Sequence, residues 1–405
     1  MTEQVDVVVL GMGPGGEEVA GRLAEAGLTV VGVEVNLLGG ECPYWGCVPS
    51  KMMIRAAGLL AEARRVDGMA GHADVHPDWA PVAARIRDEA ADDWNDQVAV
   101  DRFVGKGGRF VRGRGRLGGP GRVTVGDTVF EASRAVVVAT GTAPAIPPIG
   151  GLAGTRYWTN REAVEARTLP GSLIALGGGA VGLELAQVYA RFGVTVTVIE
   201  ALDRLLAGEE PESSALARDA LTRDGITVHT GTSAVDVGHG GERFTLTLDT
   251  GGQVSGEALL VATGRRADLV ALGVDTVGLD PTATAIAVDE RMRAGDRLWA
   301  VGDVTGQGAF THVAIHQAGI AVRDILGEPG RPADYRALPR VTFTDPEIGA
   351  VGLTEAQARQ QGLAVAAGVA WVPSSARGWI HKAGNDGYAY PTFHRAIEDA
   401  LRALP

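Results

Sequence analysis

Val5-Asp6-Val7-Val8-Val9-Leu10-Gly11-Met12-Gly13-Pro14-Gly15-Gly16 is the stretch that decides the fold, and Glu17 to Ala26 continues it with helical spacing. The largely apolar run Val5 to Leu10 does not alternate, which predicts a parallel strand buried on both faces. A second strand is predicted over Leu28 to Val33, ending on Glu34. Strand, G-x-G-x-x-G turn, helix, strand and acid make one nucleotide-binding unit. Gly11 permits the tight turn, Gly13 lets backbone N–H groups approach a pyrophosphate, and Gly16 lets the helix pack close to the strand. The helix N-terminus adds partial positive charge, and Glu34 can accept hydrogen bonds from a ribose. A lone glycine fingerprint is weak in a glycine-rich chain. Here strand, helix and acid all agree, so an ordinary glycine turn is the poorer reading.

The pattern recurs. A strand over Ser172 to Leu176 leads into Gly177-Gly178-Gly179-Ala180-Val181-Gly182, a helix over Leu183 to Phe192, and a strand over Val194 to Ile199 that ends on Glu200. Two such units imply two nucleotides held by two domains. The simplest chemistry needing both is electron transfer between a flavin and a nicotinamide. Glu200 favours the free 2′-hydroxyl of NAD(H) and repels the 2′-phosphate of NADP(H). Arg204 lies nearby, so this is a preference rather than an exclusion.

Composition narrows the setting. A chain of 405 residues has room for two to three domains and a core that needs no staples. Acidic residues outnumber basic ones 49 to 37, which argues against a general nucleic-acid binder and leaves no basic patch for a membrane surface. The 58 glycines show no collagen period, so they must serve turns and close backbone approaches. Only Lys51, Lys106 and Lys382 are lysines, so each deserves a question. Two cysteines, Cys42 and Cys47, exclude a secreted disulfide scaffold and a four-cysteine zinc site. No basic leader and no apolar run of about 20 residues is visible, so a cytoplasmic protein is expected.

The cysteines stand in Gly39-Gly40-Glu41-Cys42-Pro43-Tyr44-Trp45-Gly46-Cys47-Val48-Pro49-Ser50-Lys51, with helical spacing from Cys47 to about Ala63. Such a pair can close a small disulfide ring at the first turn of a helix, whose N-terminus lowers a thiolate pKa. Two inert buried thiols and a two-cysteine metal site are the alternatives. The flanking residues decide: the segment resembles GGxCxxxxCxPSK, the redox motif of the class I pyridine nucleotide-disulfide oxidoreductases. That family includes dihydrolipoamide dehydrogenase, glutathione reductase and mercuric reductase. The resemblance covers most of the chain. Ala139-Thr140-Gly141 is similar to the family's first flavin-domain crossover, and Ala262-Thr263-Gly264-Arg265-Arg266 to its ATGRR motif. Trp299-Ala300-Val301-Gly302-Asp303 resembles the second flavin motif, whose Asp contacts FAD. Phe343-Thr344-Asp345-Pro346-Glu347 resembles the opening of the dimerisation domain.

The resemblance implies two Rossmann-like α/β domains, for FAD and NAD(P), plus a shortened α+β interface domain. The implied limits are 1–147 with 270–334 for FAD, 148–269 for NAD(P), and 335–405 for the interface. It implies that hydride passes from NADH to FAD and electrons on to the Cys42–Cys47 disulfide. Cys47 would be the flavin-side sulfur, Cys42 the interchange thiol, and Lys51 would lie by the flavin paired with Glu184. A homodimer is also implied. The sequence departs from the pattern where the family carries its HPTxxE base: Tyr390 holds the His position and Arg395 the Glu position, with His394 out of register. A phenol with a pKa near ~10 is a poor base at neutral pH. No cysteine follows Cys47, so the second cysteine pair of mercuric reductase is missing. Between Leu338 and Tyr388 roughly half of an ordinary ~100-residue domain is absent. That spacing fits an internal deletion and a gap in the sequence equally.

Weaker signals complete the reading. Residues 52–100 read as helices, and residues 108–130 and 243–261 as antiparallel hairpins. The arginines of Arg109 to Arg116 read as a solvated strand face. His312 and His316 stand four apart on a predicted helix with no third ligand spaced to join them, so no metal is expected. Three functions compete: an FAD-dependent NAD(P)H:disulfide oxidoreductase with an unidentified acceptor, a diaphorase or quinone reductase, and a non-catalytic flavin-binding relic.

Overall fold

The structure, a computed structural model, describes residues 1–371 and Ile380. Tyr390, with His394 and Arg395, lies outside the described residues. Two compact units divide the chain. The first comprises Met1–Pro49, Ala84–Ala145 and Gly264–Tyr335; the second comprises Ser50–Ala83, Ile146–Thr263 and residues from Arg336 onward.

In the first unit the main sheet runs, from edge to edge, Arg293–Gly295, Leu298–Ala300, Thr128–Val138, Thr2–Leu10, Val30–Glu34, Arg109–Arg112. Every neighbouring pair is parallel except the edge strand Arg293–Gly295. The central strand explains its own sequence. Val7 and Val9 enter the core on one face, and Val8 and Leu10 enter the core on the other. Each fully buried Val or Leu stabilises by about 1.5–3 kcal/mol, so both faces favour apolar residues and alternation disappears. Pro14, at the first helical position, starts the helix Pro14–Glu25, which buries Val19, Ala20, Leu23 and Ala24. That face shares a core with Ala318, Ala321 and Val322 of the helix Thr311–Leu326.

The second unit repeats the scheme in smaller form. Thr227–His229, Thr195–Ile199, Ser172–Leu176 and Ala258–Val261 form an all-parallel sheet. The helix Ala180–Arg191 follows the second fingerprint. A three-stranded antiparallel sheet, Ala234–Gly240, Arg243–Leu248 and Gln253–Gly256, packs Val237, Phe244 and Leu246 into the same core as Ile174 and Leu259. Past Arg336 come the hairpin Pro339–Thr342 with Ile348–Val351 and the helix Glu355–Gln360, which Thr354 caps. The expected α/β class with Rossmann-type sheets is the observed one.

Several expectations change. Residues 65–79 are not helical: Gly68 and Gly71 sit at positive φ and Pro77 follows, so the helix Cys47–Arg64 stops. Arg109–Arg112 is no hairpin arm but pairs parallel with Val30–Glu34. Ala258–Val261 likewise joins the parallel sheet beside Ser172–Leu176. Short apolar runs do not announce their partners, so strand direction was the weak point of the reading. The arginine run is not merely solvated: Arg109 pairs with Glu3 and Arg112 with Asp96.

Candidate active site

Both fingerprints fold as the same device. The N–H of Met12 donates to Glu34 Oε2 at 2.9 Å and that of Asn36 to Oε1 at 2.8 Å. In the second unit the N–H of Gly178 donates to Glu200 Oε2 at 2.6 Å and that of Leu202 to Oε1 at 2.7 Å. Each acid thus braces its own glycine turn, and each oxygen retains a lone pair for a ribose. The first glycines are steric necessities. A Cβ on Gly11 would lie 2.4 Å from the Ala139 carbonyl oxygen, and one on Gly177 2.4 Å from that of Ala262. The last glycines are too: a Cβ on Gly16 would lie 1.9 Å from the Gly11 oxygen, and one on Gly182 2.3 Å from the Gly177 oxygen.

The middle glycines are different. A Cβ on Gly13 would meet only Gly40 Cα, at 4.0 Å, and one on Gly179 would meet no described atom within 4 Å. Neither residue has a positive φ. The protein supplies no packing reason for glycine at these two positions, which fits a phosphate approaching the helix N-terminus closely in each unit.

Arg204 is committed to its own loop. Its guanidinium donates to the carbonyls of Ala207 and Glu209, at 2.8 Å each. In the first unit Asp303 accepts from Thr142 Oγ1 at 3.3 Å, and burial pushes its carboxyl up against the opposing pull of Arg265. Gly302 adopts φ +81, and its N–H donates to Gln317 Oε1 at 2.6 Å. Gly141 and Gly264 also take positive φ, with Thr140 exposed beside the former.

The cysteine segment forms a short helix, Glu41–Tyr44, followed by the helix Cys47–Arg64. The loop leading into it is tied to the first fingerprint: Gly39 N–H donates to the Met12 carbonyl at 2.7 Å, and Leu38 N–H to Asp96 at 2.6 Å. Neither sulfur is part of a disulfide in this structure; Cys42 is half-buried and Cys47 exposed. A hydrogen bond to Cys47 and, after it, burial push the Cys42 thiol well above the ordinary cysteine range. Cys47 Sγ lies 3.5 Å from Thr311 Oγ1, and the same hydroxyl reaches Cys42. Thr311 opens the helix Thr311–Leu326 and lies 264 residues from Cys47. Nothing in local sequence marks it.

In the second unit Lys51 Nζ donates to Glu184 Oε2 at 2.9 Å, and the N–H of Phe343 donates to Glu184 Oε1 at 2.8 Å. Lys51 Nζ also stands 4.4 Å from the centre of the Phe343 ring. The predicted pair is thus formed, on a buried carboxylate. His312 and His316 make ring contacts with Phe310 and Tyr335. Among the described residues no group of three or more metal-ligating side chains converges.

Residues 5–318 match the family model for pyridine nucleotide-disulphide oxidoreductases, and residues 338–399 match the dimerisation domain of the same family. The chain belongs to this family. The oxidoreductases similar to it include mercuric reductase of Streptomyces lividans, 36% identical over 89% of this chain and 78% of that protein. Dihydrolipoyl dehydrogenase of Halobacterium salinarum is 34% identical over 94% and 82%. Among solved structures, the HOCl-induced flavoprotein disulfide reductase RclA from Escherichia coli, as its Cu(II) complex, has a TM-score of 0.81 at 25% identity, covering 96% of this chain and 85% of that one. LpdA from Mycobacterium tuberculosis has a TM-score of 0.80 at 27% identity, covering 93% and 85%. Pyridine nucleotide-disulphide oxidoreductases are enzymes that use FAD and a pyridine nucleotide, and the two glycine cradles fit both groups. No helix of the described residues is long and apolar enough to cross a membrane.

Proposed function

We propose that the chain is an NADH-dependent disulfide reductase in which Cys42 and Cys47 alternate between disulfide and dithiol. The observation that carries this reading is the thiol pair at the start of the helix Cys47–Arg64, hydrogen-bonded to each other and to one hydroxyl, Thr311. FAD, when bound, supplies the two-electron chemistry that couples a nicotinamide to a disulfide. Gly11, Gly13, Gly16, Glu34, Thr140, Gly141, Gly302 and Asp303 would hold it in a domain of residues 1–147 and 270–334. Gly177, Gly179, Gly182 and Glu200 would hold the nicotinamide nucleotide in a domain of residues 148–269, and Gly264 is a further proposed cofactor-binding position. The commitment of Arg204 to backbone carbonyls supports NADH over NADPH. Residues 335–405 would form the interface of a homodimer, in keeping with the dimerisation-domain match.

Each residue of the pair then has a task. Reducing the disulfide takes two electrons and two protons and leaves two thiols. Cys42 is the interchange thiol: its proton passes to a base in solvent, and the thiolate attacks one sulfur of an acceptor disulfide and displaces the other. The other sulfur, Cys47, closes the ring again and releases the reduced acceptor. Lys51, four residues after Cys47 in sequence and paired with Glu184, would supply a positive charge to the redox site. Tyr390 holds the family's base position in the sequence, and a phenol with a pKa near ~10 is a poor base at neutral pH. The acceptor is a small or protein disulfide.

The test is anaerobic titration of the purified holoprotein with NADH, followed by counting free thiols. Two new thiols per chain are expected, and none in Cys42→Ser. NADH oxidation with a quinone that persists in Cys42→Ser and Cys47→Ser, without thiols appearing in the wild type, overturns the reading in favour of a diaphorase.

A further inference from the structure

The helix Ala180–Arg191 is buried on nearly every side, yet it carries three polar residues in its buried set: Glu184, Gln187 and Arg191, 7%, 4% and 6% exposed. Steps of three and four put them on one face. Each bonds to the segment Phe343–Asp345. Glu184 accepts from the N–H of Phe343. The Gln187 amide brackets the backbone of Asp345: its oxygen accepts the Asp345 N–H at 2.7 Å, and its nitrogen donates to the Asp345 carbonyl at 2.9 Å. That nitrogen also donates to Asp224 Oδ2 at 2.8 Å, which sets which end of the amide points where. Arg191 donates to Asp224 and to the Asp345 carboxylate, at 2.8 and 2.7 Å, and Arg65 joins the latter at 2.9 Å.

This ladder ends on the Lys51–Glu184 pair. Phe343, two residues before the bracketed Asp345, supplies both a hydrogen bond to Glu184 and the ring under Lys51. A slip of the segment along the helix would withdraw both at once. It would also leave half-buried N–H and C=O groups unpaired, so the register is sharply defined.

We propose that Gln187, oriented by Asp224 and backed by the Arg191–Asp345 bridge, is a positioning residue that fixes Phe343 and thereby sets where Lys51 and Glu184 stand. Its consequence for turnover rests on the reading of Lys51 and Glu184 as redox-site residues; its structural consequence does not.

The scarcity of lysine supplies the test. In holoprotein labelled with ε-13C lysine, three lysines give three side-chain NMR signals, and Lys51→Arg identifies one of them. The Phe343 ring should displace the Lys51 signal upfield. Gln187→Met keeps the volume and removes all three amide bonds. It is expected to shift the Lys51 signal toward that of an exposed lysine, as Phe343→Leu does, while Lys106 stays put. The double variant should shift it no further than Phe343→Leu alone, since both act through one contact. NADH-dependent turnover of Gln187→Met should fall about ten- to a hundredfold, the usual cost of misplacing a group by about 1 Å. A Lys51 signal unmoved in folded Gln187→Met overturns the proposal. Should that variant not fold, Asp345→Ala cuts the bridge from the other side and is read in the same way. A shifted signal with turnover unchanged leaves the positioning inference standing and overturns the redox role of Lys51 instead.

Discussion

Adding one methyl group at Gly179 separates what the fold needs from what the cofactor needs. A Cβ there meets no described atom within 4 Å, and its backbone, φ −84 and ψ 178, suits alanine without strain. Gly179→Ala should therefore leave the nicotinamide-free protein within about 1 kcal/mol of wild type, because the freedom lost by the unfolded chain is offset by alanine's poorer fit at the N-cap of the helix Ala180–Arg191. The same methyl stands where backbone N–H groups at the start of the helix Ala180–Arg191 would approach a pyrophosphate. Overpacking a tight contact costs about 1–3 kcal/mol, so affinity for NAD⁺ should fall about 5- to 150-fold. A fold that stays near wild-type stability while nucleotide affinity drops makes the experiment decisive. Urea unfolding reads the first and calorimetric titration with NAD⁺, which transfers no hydride to the oxidised enzyme, reads the second. Gly182→Ala is the control. Its Cβ would lie 2.3 Å from the backbone oxygen of Gly177, so it should damage the fold itself. Wild-type NAD⁺ affinity in a folded Gly179→Ala protein would refute the assignment of the second fingerprint to the nicotinamide nucleotide.

Two further outcomes follow from charges. Burial raises the Asp303 carboxyl, so folding favours its protonated form; that contribution is complete below the unfolded pKa and is lost as pH rises through the folded one. Asp303→Asn, a mimic of the neutral form, should thus make the flavin-free protein more stable than wild type at neutral pH, with the gap closing in acid, while weakening flavin retention. A gap that does not change with pH, measured by urea midpoints, would contradict this. Glu200→Ala removes the acid from the end of the second strand of its unit while Arg204 remains tied to Ala207 and Glu209. Close like charges at a protein surface repel by up to about 4 kcal/mol, so the NADPH-to-NADH ratio of kcat/KM should rise by about tenfold or more. An unchanged ratio would mean that another group selects the nucleotide.

The parts of this molecule legible in sequence are those whose reasons are local. Parallel strands read as apolar runs because both faces are covered, and the glycines of a fingerprint must stand at fixed spacing. The redox segment is likewise continuous from Gly39 to Lys51. What stayed hidden depends on residues far apart in the chain: Thr311 against Cys47, and Asp345 against Gln187. A buried glutamine in a helix reads as a surface residue until its partners are known, since burial is tolerable only when each amide bond is met. The two Ala-Thr-Gly segments lie between these cases. Both were legible as motifs, at Ala139 and Ala262, but their common task was not. Each follows a strand beside the one that leads into the fingerprint, Thr128–Val138 in one unit and Ala258–Val261 in the other. In each, the alanine carbonyl lies against the first glycine of the turn, at Gly11 and at Gly177, leaving no room for a side chain. The first glycine of each fingerprint is therefore demanded by the neighbouring strand and the last by the turn's own carbonyl, whereas the middle one has no such contact among the described residues. Substitutions at Gly13 and Gly179 consequently test cofactor binding, whereas those at Gly11, Gly16, Gly177 and Gly182 test the fold.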